Sequence, residues 1–195
     1  LGEETVRAAE AGEYTAPSGV VVSIGERVQA AVHNTCSYPP DHELPEQTHR
    51  GEHEAGIAVR NQTTLETARS LHDDGLDPAA LNFASATHPG GGFLSGALAQ
   101  EEYLARSSAL YACIKDNPMY DFHWQRHDPF YTDYVIYSQD VPVLRDDDGN
   151  FLEEPWPCSM LTSPAVMAFQ VHDAMPERAR EIGPVMWRRI LKVLA

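Results

Sequence analysis

Three consecutive glycines, Gly90, Gly91 and Gly92, stand seven residues before Gln100-Glu101-Glu102. A stretch without Cβ atoms can take up left-handed backbone and lie close against another group. It can also aim free N–H groups at an anion, and the positive end of a following helix adds to that field. Two adjacent carboxyls beside such a loop are an unusual pair to place at one point in a fold, and carboxyls can give and take protons in general acid–base chemistry. Each half has an ordinary reading. A glycine loop is often only a tight turn, and acids in a first helical turn often only complement the dipole. The combination at this spacing is much rarer than its parts.

The elements that must position these groups are legible on both sides. Ala79 to Ala84 is a short apolar run and reads as a buried strand. Ala97 to Ile114 reads as one helix, with Leu98, Ala105, Ala109 and Ala112 on one side and Leu104 and Tyr111 beside them. The unit is therefore strand, glycine loop, helix.

The wording NFASATHPGGGFLSGALAQEEYLARSSALY resembles the bacterial-type branch of the poly(ADP-ribose) glycohydrolases, whose signature is GGG followed after six to eight residues by QEE. Weaker similarity runs from about Thr5 to about Ala195. The resemblance implies a three-layer α/β/α macrodomain-like fold with a mixed central sheet. It implies hydrolysis of the ribose–ribose bonds of poly(ADP-ribose) from chain ends, with no metal and no organic cofactor. It further implies ADP-ribosylated proteins as partners and a place in ADP-ribosylation and the DNA damage response. By similarity, Glu102 is the acid–base residue, with a pKa raised by burial, and Glu101 holds the ribose hydroxyls. Gly90, Gly91 and Gly92 supply N–H groups to the diphosphate, and Gln100 supports the geometry of the pair. The alternative from another class is a module of the same fold that binds ADP-ribose without cutting it. An inert scaffold is a third reading.

At its end the sequence departs from that family. The resemblance predicts a further strand and a second glycine-rich loop after the last helix, and an Asn near Met167. The expectation is thus a fold truncated at its C-terminus, with residues 1–16 a helical extension and 17–195 the macrodomain-like domain.

Composition sets the remaining bounds. The chain has 195 residues, 43% of them hydrophobic, enough for one sizeable core. A formal net charge of −15 argues against direct DNA binding, which rests on a basic surface. An anionic substrate must then be held by a local site. Three scattered cysteines, Cys36, Cys113 and Cys158, with no CxxC, fit a reducing compartment and a cytoplasmic protein. No apolar run is long enough for a membrane span.

Other stretches carry coarser expectations. Gly2 to Ala11 reads as a helix with Val6 and Ala9 on its stripe, stopped by Gly12. Val20 to Ile24 and Ile57 to Val59 read as strands, and Thr35 to Gly56 as a long surface loop. Within that loop His42, Glu43, Glu46, His49 and His53 match no zinc spacing. His123 and His127 would share a helix face, yet no HExxH glutamate accompanies them. His88, before the glycines, is better read as a loop histidine than as a substrate contact. Thr63 and Glu66 form a capping box that opens a helix carrying Leu65, Ala68 and Leu71. Asp121 to Asp133 reads as an irregular aromatic loop that packs on the sheet. Strands follow at Tyr134–Ser138, Val141–Leu144, Phe151–Leu152 and Ser159–Thr162, with Asp147 to Asn150 as a turn. A loop from Ala165 to Ala174 leads to a last helix opened by Pro176.

Overall fold

The computed structural model describes residues 1–44, 56–165 and 176–194. Helix α1 (Gly2–Ala11) ends at Gly12, which is left-handed at φ 74°. A small antiparallel pair, β1 (Glu13–Thr15) and β2 (Val21–Ser23), precedes α2 (Gly25–His33). Strand β3 (Cys36–Tyr38) follows, then α3 (Thr64–Asp73) and β4 (Ala79–Ala84). The glycine loop closes with a 3-10 turn at Phe93–Ser95 and leads into α4 (Gln100–Ser107). Two short helices, α5 (Leu110–Ile114) and α6 (Pro118–Arg126), come next. The long hairpin of β5 (Val135–Arg145) and β6 (Phe151–Pro164) and the final helix α7 (Pro176–Leu194) complete the described chain.

The central sheet has the order β3-β5-β6-β4. The β3–β5 and β5–β6 pairs are antiparallel and β6–β4 is parallel, so the sheet is mixed. Strand alternation sends Ala80, Ile136, Cys158 and Met160 into the larger core, with Leu104, Leu110 and Ile114 from the helices. The opposite face carries Val135 and Leu161, covered by Ile190 of α7. Side chains two apart share a face, so one sheet serves both cores and the layers are α/β/α. No helix among the described residues is long and apolar enough to cross a membrane. Cys36 is exposed on the edge strand β3, whereas Cys113 and Cys158 are buried; all three are free thiols.

The hairpin turn and the Thr63–Glu66 capping box form as expected. Other elements differ from expectation, each for a physical reason. The long helix breaks at Ser108, whose backbone is extended at φ −143° and ψ 174° and bridges to Val143. Its hydroxyl donates to the Leu104 carbonyl and accepts from the Leu110 N–H, satisfying groups that the break would orphan. Leu98 lies before the helix and is exposed. The Asp121–Asp133 stretch is helical up to Arg126. Asn117 caps that helix by accepting from the Met119 N–H, with Pro118 in its first turn. The two strands expected at Tyr134–Ser138 and Val141–Leu144 are one, interrupted by a bulge where Asp140 has φ 52°. Likewise β6 is continuous across Phe151–Pro164. Ile57–Val59 forms no strand; Ile57 and Val59 are almost fully exposed, so β-propensity found no partner. The expected surface loop at Thr35–Gly56 contains β3 instead. In α1 the residues that bury fully are Gly2, Thr5 and Ala8, with Val6 and Ala9 beside them. Glu46, His49, His53 and Met167 lie outside the described residues.

Candidate active site

Strand β4 and helix α4 meet at the glycine loop. Ala99 stands at the N-cap without a side-chain bond, so Glu101 and Glu102 fall in the first turn, with the helix dipole toward them. Both are buried, at 4% and 9% exposure. Buried carboxyls need donors, and the loop supplies them. Ser85 N–H donates to Glu101 Oε2 at 2.6 Å and Gly90 N–H to Glu101 Oε1 at 3.1 Å. Gly92 N–H donates to Glu102 Oε1 at 2.9 Å. Glu102 Oε2 is buried with no partner. It is the one carboxyl oxygen of the pair without a donor.

Gly91 explains why the loop must lack side chains here. Its φ is 58°, and a Cβ there would stand 2.9 Å from Glu102 Cδ and 3.1 Å from Glu101 Oε2, closer still to Glu102 Oε1. Left-handed backbone and absent space both exclude any other residue. The loop amides, however, do not point where the sequence suggested. Gly90 and Gly92 give their N–H groups to the carboxylates, and Gly91 N–H donates to the His88 carbonyl at 2.9 Å. In this structure the three amides hold the acids and the turn rather than an open phosphate cradle.

Gln100 ties the helix start to the sheet. Its Nε2 donates to the Leu81 carbonyl at 2.7 Å, and its Oε1 accepts from the Phe83 N–H at 3.1 Å. The amide thus occupies the outer edge of β4 as a neighbouring strand residue would. On the far side of α4, Thr5 Oγ1 of α1 donates to the Arg106 carbonyl at 2.7 Å.

Burial pushes the Glu101 carboxyl up to about 7. The Ser85 and Gly90 N–H groups oppose this rise, and the Glu102 charge adds to it. The raised carboxyl at Glu101 gives the pair a group that can hold a proton near neutral pH. Two further groups were not singled out from the sequence. Asn82, fully buried on β4, donates to Thr162 Oγ1 at 3.2 Å, and its Oδ1 has no partner. Tyr120 of α6 is buried with an unpartnered hydroxyl, and its pKa is raised by burial and by the Glu101 charge. An amide inside an apolar strand was a signal for Asn82. Nothing local marks Ser85 or Tyr120.

The histidines are elsewhere engaged. His123 is buried, with Nδ1 against the Met119 carbonyl at 3.0 Å and Nε2 against Thr132 Oγ1 at 2.9 Å. Burial lowers its pKa. His127 leaves the helix at φ 51°, so the two do not share a helix face. His88 is exposed and meets Trp124 edge-on. Among the described residues no cluster of three or more His, Cys, Asp or Glu side chains could hold a metal. A roomy cleft of about 650 Å³, lined by Arg27, His72 and Trp156 among others, includes none of the predicted site residues.

The family model for the microbial-type PARG catalytic domain matches residues 2–146. The chain belongs to the microbial-type PARG family. Solved PARG structures agree with that assignment. The poly(ADP-ribose) glycohydrolase from Thermomonospora curvata is 47% identical, with a TM-score of 0.89 over 99% of this chain and 72% of that one. A second structure of it, bound to the inhibitor ADP-HPD, is 45% identical with a TM-score of 0.82, covering 99% of this chain and 71% of that one. The PARG from Deinococcus radiodurans in complex with ADP-ribose is 38% identical, with a TM-score of 0.73 over 86% of this chain and 69% of that one. Comparison with curated proteins finds no match. The PARG family match spans the glycine loop, both glutamates and the whole of the β5 strand.

Proposed function

We infer that this chain is a poly(ADP-ribose) glycohydrolase that hydrolyses ribose–ribose bonds and releases ADP-ribose. One observation carries the reading. Two buried carboxyls sit side by side at a helix start, and one oxygen, Glu102 Oε2, is left without a donor. A structural carboxylate would be fully satisfied; an acid–base group keeps an atom free for its reactant. Family membership supplies the bond class.

In this reading Glu102 protonates the oxygen that departs from the anomeric carbon. The same carboxylate then removes a proton from the water that attacks the oxocarbenium-like centre. Glu101 faces the ribose hydroxyls and orients the ring. Gly91, with no side chain, lets the sugar come down onto the pair. Gln100 keeps the helix start seated against β4. Cutting from chain ends follows the bacterial branch that the sequence resembles. The acidic surface fits a protein with no direct DNA contact, and three free thiols fit the cytoplasm.

Incubation with purified poly(ADP-ribose), with released ADP-ribose measured by chromatography, tests the reading. Glu102→Gln is expected to lower kcat by about 10²–10⁴-fold while leaving affinity for ADP-ribose nearly intact. A wild-type chain that binds the polymer and releases nothing is a binding module instead.

A further inference from the structure

Behind the glycine loop lies a separate cleft of about 440 Å³, lined chiefly by Thr87, His123, Trp124, His127 and Tyr131. Its volume is within the range of small-molecule sites, about 300–1,000 Å³. Thr87, in the lining of this cleft, lies on the segment whose Ser85 and Gly90 amides hold the Glu101 carboxylate. On the same segment the His88 ring meets the Trp124 indole at 6.1 Å, nearly perpendicular at 83°. Trp124 is 60% exposed, although the preceding residue, His123, is buried. The backbone at the cleft is unusual. His127 and Tyr131 are left-handed non-glycine residues at φ 51° and 54°, a conformation that side chains rarely adopt.

We propose that this cleft binds the adenine of the ADP-ribose unit adjoining the scissile bond, with Trp124 as the stacking platform. The inference rests on the glycohydrolase reading above. The bond to be cut joins the sugar of one unit to the adenosine ribose of the next. The departing oxygen therefore belongs to the ribose that carries the next base, and that base hangs one sugar ring from the reacting atoms. One loop touches Glu101 at Ser85 and the cleft at Thr87, only two residues apart. A polymer with its terminal unit at the carboxylates would pass its next base over this loop. Every base offers a π-face to an indole, and Thr87 and His127, which line the cleft with Trp124, carry polar atoms to meet the base edge.

The experiment compares two constants on the full chain. One is KM for poly(ADP-ribose); the other is Ki for ADP-ribose as a competing product, which fills only the terminal-unit position. Loss of one stacked base corresponds to about 5- to 150-fold in affinity. Trp124→Ala is expected to raise KM for the polymer about tenfold more than it raises Ki, and Trp124→Phe to restore most of the difference. Equal changes in the two constants, or no change in KM, overturn the inference while leaving the glycohydrolase reading standing. A wild-type chain that releases no ADP-ribose overturns both.

Discussion

Glu101 carries the clearest energetic signature of the site. Its carboxyl has an ordinary value of 4.5 and is pushed up to about 7 by burial. The fold therefore favours the protonated form. Below pH 4.5 the group costs nothing, because it is protonated folded or unfolded. The cost grows between 4.5 and 7 and is complete above 7. A shift of that size amounts to about 3 kcal/mol at alkaline pH. Stability should thus fall as pH rises from about 5 to 8 through this residue. Denaturant midpoints measured across that range for wild type and Glu101→Ala check it: the variant is expected to show a shallower decline, whatever its absolute stability. Identical slopes would assign the pH dependence to other groups. The spacing in sequence was enough to bring the two acids to the loop. It could not reveal that Glu101 is raised, because the rise comes from burial in the folded chain, which outweighs the opposing hydrogen bonds from Ser85, Gly90 and Asn82.

At the scale of elements, the Gln100 amide is the joint between sheet and helix. It replaces strand pairing at Leu81 and Phe83 with two side-chain hydrogen bonds. At about 0.5–1.5 kcal/mol each, Gln100→Ala should cost about 1–3 kcal/mol in unfolding free energy. It should also lower kcat, since the turn that carries Glu101 and Glu102 loses its tether. Unfolding curves and initial rates on the same preparation decide this; full activity with lowered stability would mean that the loop alone seats the acids. Much of this unit was legible in advance. β4 was visible as an apolar run, and the loop as three glycines. The break at Ser108 was hidden because Leu104, Leu110 and Ile114 bury into one core across it, so apolar periodicity ran on. α6 was masked by its aromatic content, although Asn117-Pro118 is a capping signal that could have revealed it.

For the molecule as a whole, charge sets how substrate arrives. A chain with formal net charge −15 repels a polyanion at long range. Screening length falls from about 30 Å at 0.01 M salt to about 10 Å at 0.1 M. kcat/KM for poly(ADP-ribose) is therefore expected to rise several-fold over that interval, opposite to the salt response of proteins that hold nucleic acid by cations. Rates at fixed pH across a salt series provide the check, and a fall would point to a basic path that the overall charge conceals. The three-layer plan behind this surface was readable from strands alternating with helices. The pairing order was not, because β6–β4 contacts join residues about 80 positions apart.

The exposed thiol of Cys36 gives the molecule a practical handle. Burial pushes the Cys113 and Cys158 thiols up to about 11 and about 12, which leaves Cys36 as the position a maleimide dye can reach in the native protein. That position lies on β3, at the border of the sheet opposite β4. A fluorophore attached there would watch the chain come apart from the side remote from the acids, without a mutation and without crowding the polymer's path.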